Sequence, residues 1–321
     1  MSPMHVEEFW ESRAIGPVLG RIALLPLAGL YAIGWECYLA WYKLGLKRAK
    51  MPHPRTLCIG NLVVGGVGKT PTVVFVTQQL LARGHRVVIS SSGYGGPMST
   101  GAQLAPDGPI LASAWGDEPA LFREELPNVP IIVGRDRLAA ATIAGEQFAD
   151  SILVMDDGFQ HLPVAKRVSV VLDPPRRNRL CLPAGPYREP RWRKRRADLV
   201  IPGDFRVVAN PLAVDPVAGA YAVLSAIGQP ERFLQSLLAS GKVSGPPALD
   251  LRLPDHDDLQ AGNLLAPVPV DMPIITTQKD WVKLRERSDI ADRKVIVARH
   301  SVRIEPSEGF LSWIEERLND H

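Results

Sequence analysis

Cysteine is scarce. Cys37, Cys58 and Cys181 are the only three in 321 residues, and no two of them form a CxxC pair. A disulfide framework and a zinc knuckle are thereby excluded, and a reducing cytoplasmic setting is expected. An excess of either charge is also missing: 37 Lys and Arg stand against 34 Asp and Glu, a net charge of +3. So mild a balance does not mark a nucleic-acid binder, and no nucleic-acid partner is expected. Internal repeats and low-complexity runs are absent. With 46% hydrophobic and 22% charged residues, the composition excludes disordered, collagen-like and coiled-coil classes. No short basic segment leads into a small-residue cleavage site, which argues against a secretory signal.

What is present begins with an uncharged stretch, Ile22 to Trp35, bounded by Arg21 and Glu36. It falls short of the roughly 20 apolar residues of a spanning helix, and Pro26, Gly29 and Gly34 weaken it further. Tyr38, Trp41 and Tyr42 follow, then Lys43, Lys47, Arg48 and Lys50. Aromatics beside a basic cluster suit a helix lying in the headgroup region of an anionic membrane surface. The competing readings are a buried core helix, two helices broken at Pro26, or a true span. A second basic run, Arg191-Trp192-Arg193-Lys194-Arg195-Arg196, suggests an anionic partner nearby.

From Arg55 onward short apolar runs alternate with helical stretches. Strands are expected at Thr56–Val64, Arg86–Ser90, Ile131–Val133, Ile152–Met155, Val168–Leu172 and Leu199–Ile201, with helices at Pro71–Arg83 and Arg137–Phe148. This alternation predicts an α/β fold built on a doubly wound, mostly parallel sheet. A proline-rich linker at 210–216 separates it from a smaller α/β unit with strands near 220–226, 273–277 and 294–298 and helices at 230–240 and from Glu308. The expected division is an N-terminal membrane-associating segment at 1–54, a phosphate-loop core at 55–210 and a smaller domain at 211–321.

Gly65-Gly66-Val67-Gly68-Lys69-Thr70, followed by Pro71, joins a predicted strand to a predicted helix, the context of a nucleotide phosphate loop. Glycines let backbone N–H groups curl around phosphate oxygens, and the helix N-terminus adds partial positive charge. Lys69 would reach the β- and γ-phosphates of a nucleoside triphosphate, and Thr70 would bind Mg²⁺. The strict pattern would have glycine at Val63. A Mg²⁺–nucleotide site also needs a carboxylate at a strand end, which Asp156 and Asp157 supply.

Asp156-Asp157-Gly158-Phe159-Gln160-His161 is one of several blocks that carry a resemblance. The others are Leu182 to Pro190, Gly116-Asp117-Glu118-Pro119, Gly228 to Phe233 and Gly60-Asn61. In this order they resemble the tetraacyldisaccharide 4′-kinase family of lipid A biosynthesis, over nearly the whole chain. The resemblance implies transfer of the ATP γ-phosphate to the 4′-hydroxyl of an acylated disaccharide 1-phosphate, with Mg²⁺, by a peripheral or monotopic enzyme at the cytoplasmic face of the bacterial inner membrane. It implies no obligate protein partner.

Residue by residue, it makes Asp117 the catalytic base with His256 as its partner, alongside Lys69 and Asp157. Metal ligation falls to Thr70, Asp156 and Glu118, and substrate contact to Tyr94, Gln160, His161, Arg188 and Glu189. Three positions depart from the family pattern: Ser92 for arginine, Ser225 for glycine and Gln278 for glutamate. A membrane-associated P-loop ATPase switch of the partition or septum-placing kind shares Gly-Gly-x-Gly-Lys-Thr, but normally has lysine where this chain has Val64. A non-catalytic nucleotide-binding scaffold is the third reading.

Overall fold

The computed structural model describes residues 6–319. Helices α1 (Val6–Glu11) and α2 (Ile15–Lys43) precede the first strand. The main sheet holds β1 (Thr56–Asn61), β2 (Val87–Ser91), β3 (Gln103–Leu104), β4 (Ile131–Val133), β5 (Ile152–Asp156), β6 (Val168–Leu172) and β7 (Leu199–Ile201). Its connections include α3 (Lys69–Ala82), α4 (Ala112–Trp115), α5 (Asp117–Glu125) and α6 (Arg137–Gln147). Strand order is β3-β4-β2-β5-β1-β6-β7, and every pairing is parallel except β3 with β4. The central strands are buried at every residue, as expected of parallel strands covered by helices on both faces.

After β8 (Arg206–Ala209) a smaller parallel sheet forms from β9 (Ala222–Ser225), β10 (Leu249–Arg252), β11 (Ile274–Thr277) and β12 (Val295–Ala298), with α7 (Pro230–Ala239) and α8 (Gln278–Leu284). Then β13 (Val302–Glu305) pairs antiparallel with β8, and α9 (Ser307–Asn319) ends the described chain. The unit expected at 211–321 is therefore not one packed body. Phe310, Leu311, Ile314 and Leu318 lie in the same buried cluster as Leu57, Ile59 and Val76 of the main sheet and its helix, and Arg83 pairs with Glu315 at 2.7 Å. The apolar face of α9 covers the first core, because the turn after β13 sends the chain back across it.

Helix α2 runs unbroken for 29 residues through Pro26. Neighbouring Ala and Leu are strong helix formers and carry the chain past the missing amide donor. By length and composition alone it is apolar enough to cross a membrane. One face docks on the body, where Ala28 and Leu39 are buried and the Tyr31 hydroxyl donates to the Arg188 carbonyl at 2.5 Å. The opposite face leaves Ile15, Leu19, Ile22, Leu27, Leu30 and Ile33 exposed.

Candidate active site

Strand β1 delivers the chain into the glycine loop, and Gly68 turns it into α3 in the left-handed region at φ 81°, a conformation that glycine adopts without a Cβ penalty. Lys69 opens the helix. Its Nζ donates to Asn61 Oδ1 at 3.1 Å and lies 3.6 Å from Asp157 Oδ2. Thr70 and Pro71 follow in the first turn, where amide donors lack intrahelical partners. A carboxylate already lies over this loop: a Cβ at Gly65 would run into Glu7 of α1, whose other oxygen accepts weakly from Gln229 at 3.4 Å.

Three acids feel the charge of Lys69, in contrasting environments. Burial pushes Asp156 well above the usual carboxylate range, and the charges of Glu118 and Asp157 push it further. Both its carboxylate oxygens are buried without a hydrogen-bond partner. Glu118 is raised as well, first by burial, although Lys69 opposes the shift. Asp157 feels the same desolvation, but Lys69 and Arg188 outweigh it and hold the group below its ordinary value; Arg188 reaches Asp157 Oδ2 at 2.8 Å. Orphaned acid oxygens beside a second raised carboxylate fit a divalent cation. Among the described residues no three His, Cys, Asp or Glu side chains form a metal cage, and Mg²⁺ needs none when substrate phosphates complete its shell.

A further acid, Asp117, begins α5. Gly116, at φ 94°, packs against the backbone of Gly93 and Tyr94 so closely that a Cβ would stand 2.9 Å from it. This contact sets Asp117 beside the loop that carries Tyr94. From the turn after β10 comes His256, whose Nδ1 lies 3.3 Å from Asp117 Oδ2, while Tyr94 meets the imidazole edge-on at 6.1 Å. Lys279 Nζ stands 3.1 Å from His256 Nε2. An ammonium only donates, so Nε2 accepts and the ring proton sits on Nδ1, aimed at Asp117. Burial would raise Asp117, but the His256 hydrogen bond and the charges of Lys283 and Lys279 prevail and lower it.

Helices α5 and α8 hold the two halves of this pair together through Arg285–Glu124 and Gln278–Glu125 at 2.8 and 2.6 Å. Here glutamine does what glutamate could not: its amide donates to Glu125 while its oxygen accepts from the His300 amide at 2.8 Å.

A cleft of about 570 Å³ opens beside Asp157, lined by Gln160, His161, Arg188, Ser92, Arg135 and Arg137, with Tyr31 and Trp35 of α2 on its wall. Gln160 donates to the Asn61 carbonyl at 2.7 Å. Glu189 is the exception among the expected substrate residues. It is fully buried, and its oxygens are taken by Gln160 at 3.1 Å and Arg196 at 2.6 Å, so it positions Gln160 rather than facing the cleft. Much of the basic run is likewise paired internally. Arg191 and Lys194 meet Asp173 at 3.2 and 3.4 Å, and Arg193 meets Glu36 of α2 at 2.5 Å. Arg193 thereby clamps α2 to the body, while Arg191 and Lys194 are held at the end of β6, which removes most of the reason to expect an anionic partner there.

Sequence reasoning missed Arg137, Lys279, Tyr31 and Trp35. Arg137 is buried and donates to the backbone carbonyls of Ser90 and Asp156. Its signal was available: charged residues directly beyond the carboxyl end of a parallel strand, where α/β sheets bind ligands.

The chain is similar to known proteins over nearly its whole length. A family model described as tetraacyldisaccharide-1-P 4′-kinase matches residues 20–319. A tetraacyldisaccharide 4′-kinase from Shewanella loihica is 34% identical, with 88% of each chain covered. One from Geobacter sulfurreducens is 35% identical over 62% of this chain and 60% of its own. The solved structure of LpxK from Aquifex aeolicus in complex with ATP superposes with a TM-score of 0.76 at 26% identity, covering 93% of this chain and 99% of that one.

Proposed function

The chain belongs to the tetraacyldisaccharide-1-P 4′-kinase family, and from that premise we propose how its own residues perform the transfer. The protein is an ATP-dependent kinase of lipid A biosynthesis that phosphorylates the 4′-hydroxyl of a tetraacyldisaccharide 1-phosphate. The observation that carries the assignment of roles is the convergence of Lys69, the Asp156–Asp157 pair and the Asp117–His256 pair on one carboxyl edge of the main sheet.

Lys69 neutralises charge on the transferred phosphoryl group, where fixed charge contributes most to lowering the barrier. Asp117 accepts the proton of the attacking hydroxyl as its oxygen bonds to the γ-phosphorus and the bond to the β-phosphate bridging oxygen breaks. His256 orients that carboxylate. Asp157 holds Lys69 and Arg188 in register. Thr70, Asp156 and Glu118 are the residues that would bind Mg²⁺; the bound ion would neutralise phosphate charge. Tyr94, Gln160, His161 and Arg188 contact the acceptor.

The exposed apolar face of α2, with Lys47 stacked over Trp41 at 4.8 Å and Tyr38 at 5.4 Å, supports seating on an anionic membrane at its cytoplasmic face. Because the other face is docked on the body through Tyr31 and Glu36, a monotopic position fits better than a free span. A partition- or septum-type ATPase switch is not supported, since the kinase family model spans almost the whole chain. The deciding assay incubates purified protein with labelled ATP and the acylated disaccharide 1-phosphate in mixed micelles. Label should appear in the chloroform-soluble lipid; phosphate release alone would refute the assignment.

A further inference from the structure

The cleft wall carries three guanidinium groups, and two are already engaged. Arg188 is paired with Asp157 at 2.8 Å; Arg137 is buried and is held through Nη2, which donates to the Ser90 carbonyl at 3.0 Å and to that of Asp156, while its Nε and Nη1 lie buried without a partner. Arg135 differs. Its backbone amide donates to the Ser99 carbonyl at 3.0 Å, which fixes the root of the residue. Its exposed side chain lines the cleft beside Ser92 and has no hydrogen-bond or ion-pair partner among the described residues. An anchored cation with free donors on the wall of a binding cleft is suited to an anion, and a guanidinium matches phosphate bidentately.

Sheet order decides which anion. Arg135 lies just past β4, and β2 and β5 separate β4 from β1, the strand that leads into the phosphate loop. Three strand spacings of about 4.8 Å put these positions on the order of 14 Å apart. That is beyond the reach of one arginine side chain toward a γ-phosphate held by Lys69. It suits an acceptor two sugars long, with its reacting hydroxyl at one end and its standing phosphate at the other. We propose that Arg135 binds the phosphate already present on the acceptor and so sets the preference for phosphorylated over unphosphorylated glycolipid. This rests on the kinase reading above. Ser92 has no charge of its own and Arg137 is buried, which leaves Arg135 as the exposed cation with no side-chain partner among the described residues of that wall.

The test compares wild type with Arg135→Ala, Arg135→Lys and Arg135→Glu on the acylated disaccharide with and without its 1-phosphate, in mixed micelles. The ratio of kcat/KM between the two acceptors should fall about ten- to hundred-fold in Arg135→Ala, as loss of a charge-assisted hydrogen bond implies. The change should lie in KM for the acceptor. Lysine should restore part of the preference, and glutamate should abolish it. An unchanged ratio, or an equal rise in KM for ATP, overturns the proposal. Equilibrium binding of the phosphorylated acceptor without ATP separates the two readings. Equal affinity of wild type and Arg135→Ala refutes the role of Arg135; wild-type binding without transfer refutes only the kinase assignment. Thermal melts confirm that the exposed substitutions leave the fold intact.

Discussion

His256 Nδ1 stands 3.3 Å from Asp117 Oδ2, a contact between residues 139 positions apart, one opening α5 and the other in the turn after β10 of the smaller sheet. Lys279 on the far nitrogen gives the imidazole one orientation of its proton. A carboxylate held this way is already aligned when the acceptor hydroxyl arrives, so little reorganisation is left for the reaction itself.

Asp117→Asn should therefore cut kcat by about 10²–10⁴-fold and leave KM for ATP within a few-fold. His256→Ala should cost less, and the double variant should be little worse than Asp117→Asn alone, because paired residues act as a unit. Steady-state kinetics decides. Fully additive losses would assign His256 a separate role.

Lys69→Ala should lose most of the transfer activity with the fold intact. The substitution also releases Asp157, whose depressed pKa depends first on Lys69 among its favourable partners. Single-turnover measurements should show a slow chemical step; a normal rate in folded protein would refute the role of the phosphate loop.

Glu7 reaches the loop at Gly65, where an incoming nucleotide brings negative charge of the same sign. Glu7→Gln should lower KM for ATP by a few-fold at low salt and less at high salt, since screening weakens repulsion between charges. A rise in KM would mean that Glu7 helps form the loop instead.

Replacing Leu27, Leu30 and Ile33 by serine removes apolar surface from the exposed face of α2 without touching Tyr31 or Trp35. The variant should move from the membrane pellet to the supernatant and show a higher KM for bilayer substrate, with KM for ATP unchanged. Retention in the pellet would place membrane contact elsewhere.

Burial lowers the pKa of Lys166 from 10.5 to about 8, and its ammonium donates to the His161 carbonyl at 2.5 Å. Between pH 8 and 10.5 the unfolded chain binds more protons, so stability rises with pH. The cost of burying the charge is full below 8 and gone above 10.5. It amounts to about 3 kcal/mol at most, less because the residue is only half-buried. Lys166→Met should flatten this slope in denaturant titrations, while loosening His161 and reducing activity. A slope unchanged in the variant would show that Lys166 does not cause it.

The local chemistry was legible in the sequence wherever it depends on chain neighbours. Glycines before Lys69 can only curl a strand-to-helix turn around an anion, and consecutive Asp156 and Asp157 at a strand end announce charge at the carboxyl edge. Apolar runs such as Ile152–Met155 likewise fixed the strands, because parallel strands are buried on both faces. Leu249–Arg252 escaped notice because it alternates leucine with charge and is only half-buried.

Tertiary structure alone decided which distant groups meet. Strand order put Arg135 and Arg137 on the wall of the same cleft as Asp157, and no local pattern encodes strand order. The basic run reads as a surface for an anion until Asp173, Glu36 and Glu189 are found against it. Apolar periodicity made α9 a helix but left open which core it would cover, since hydrophobic burial is non-directional. Composition and spacing determined what this chain can bind; burial and the folding of remote segments onto one edge determined which of its charges remain free to do so.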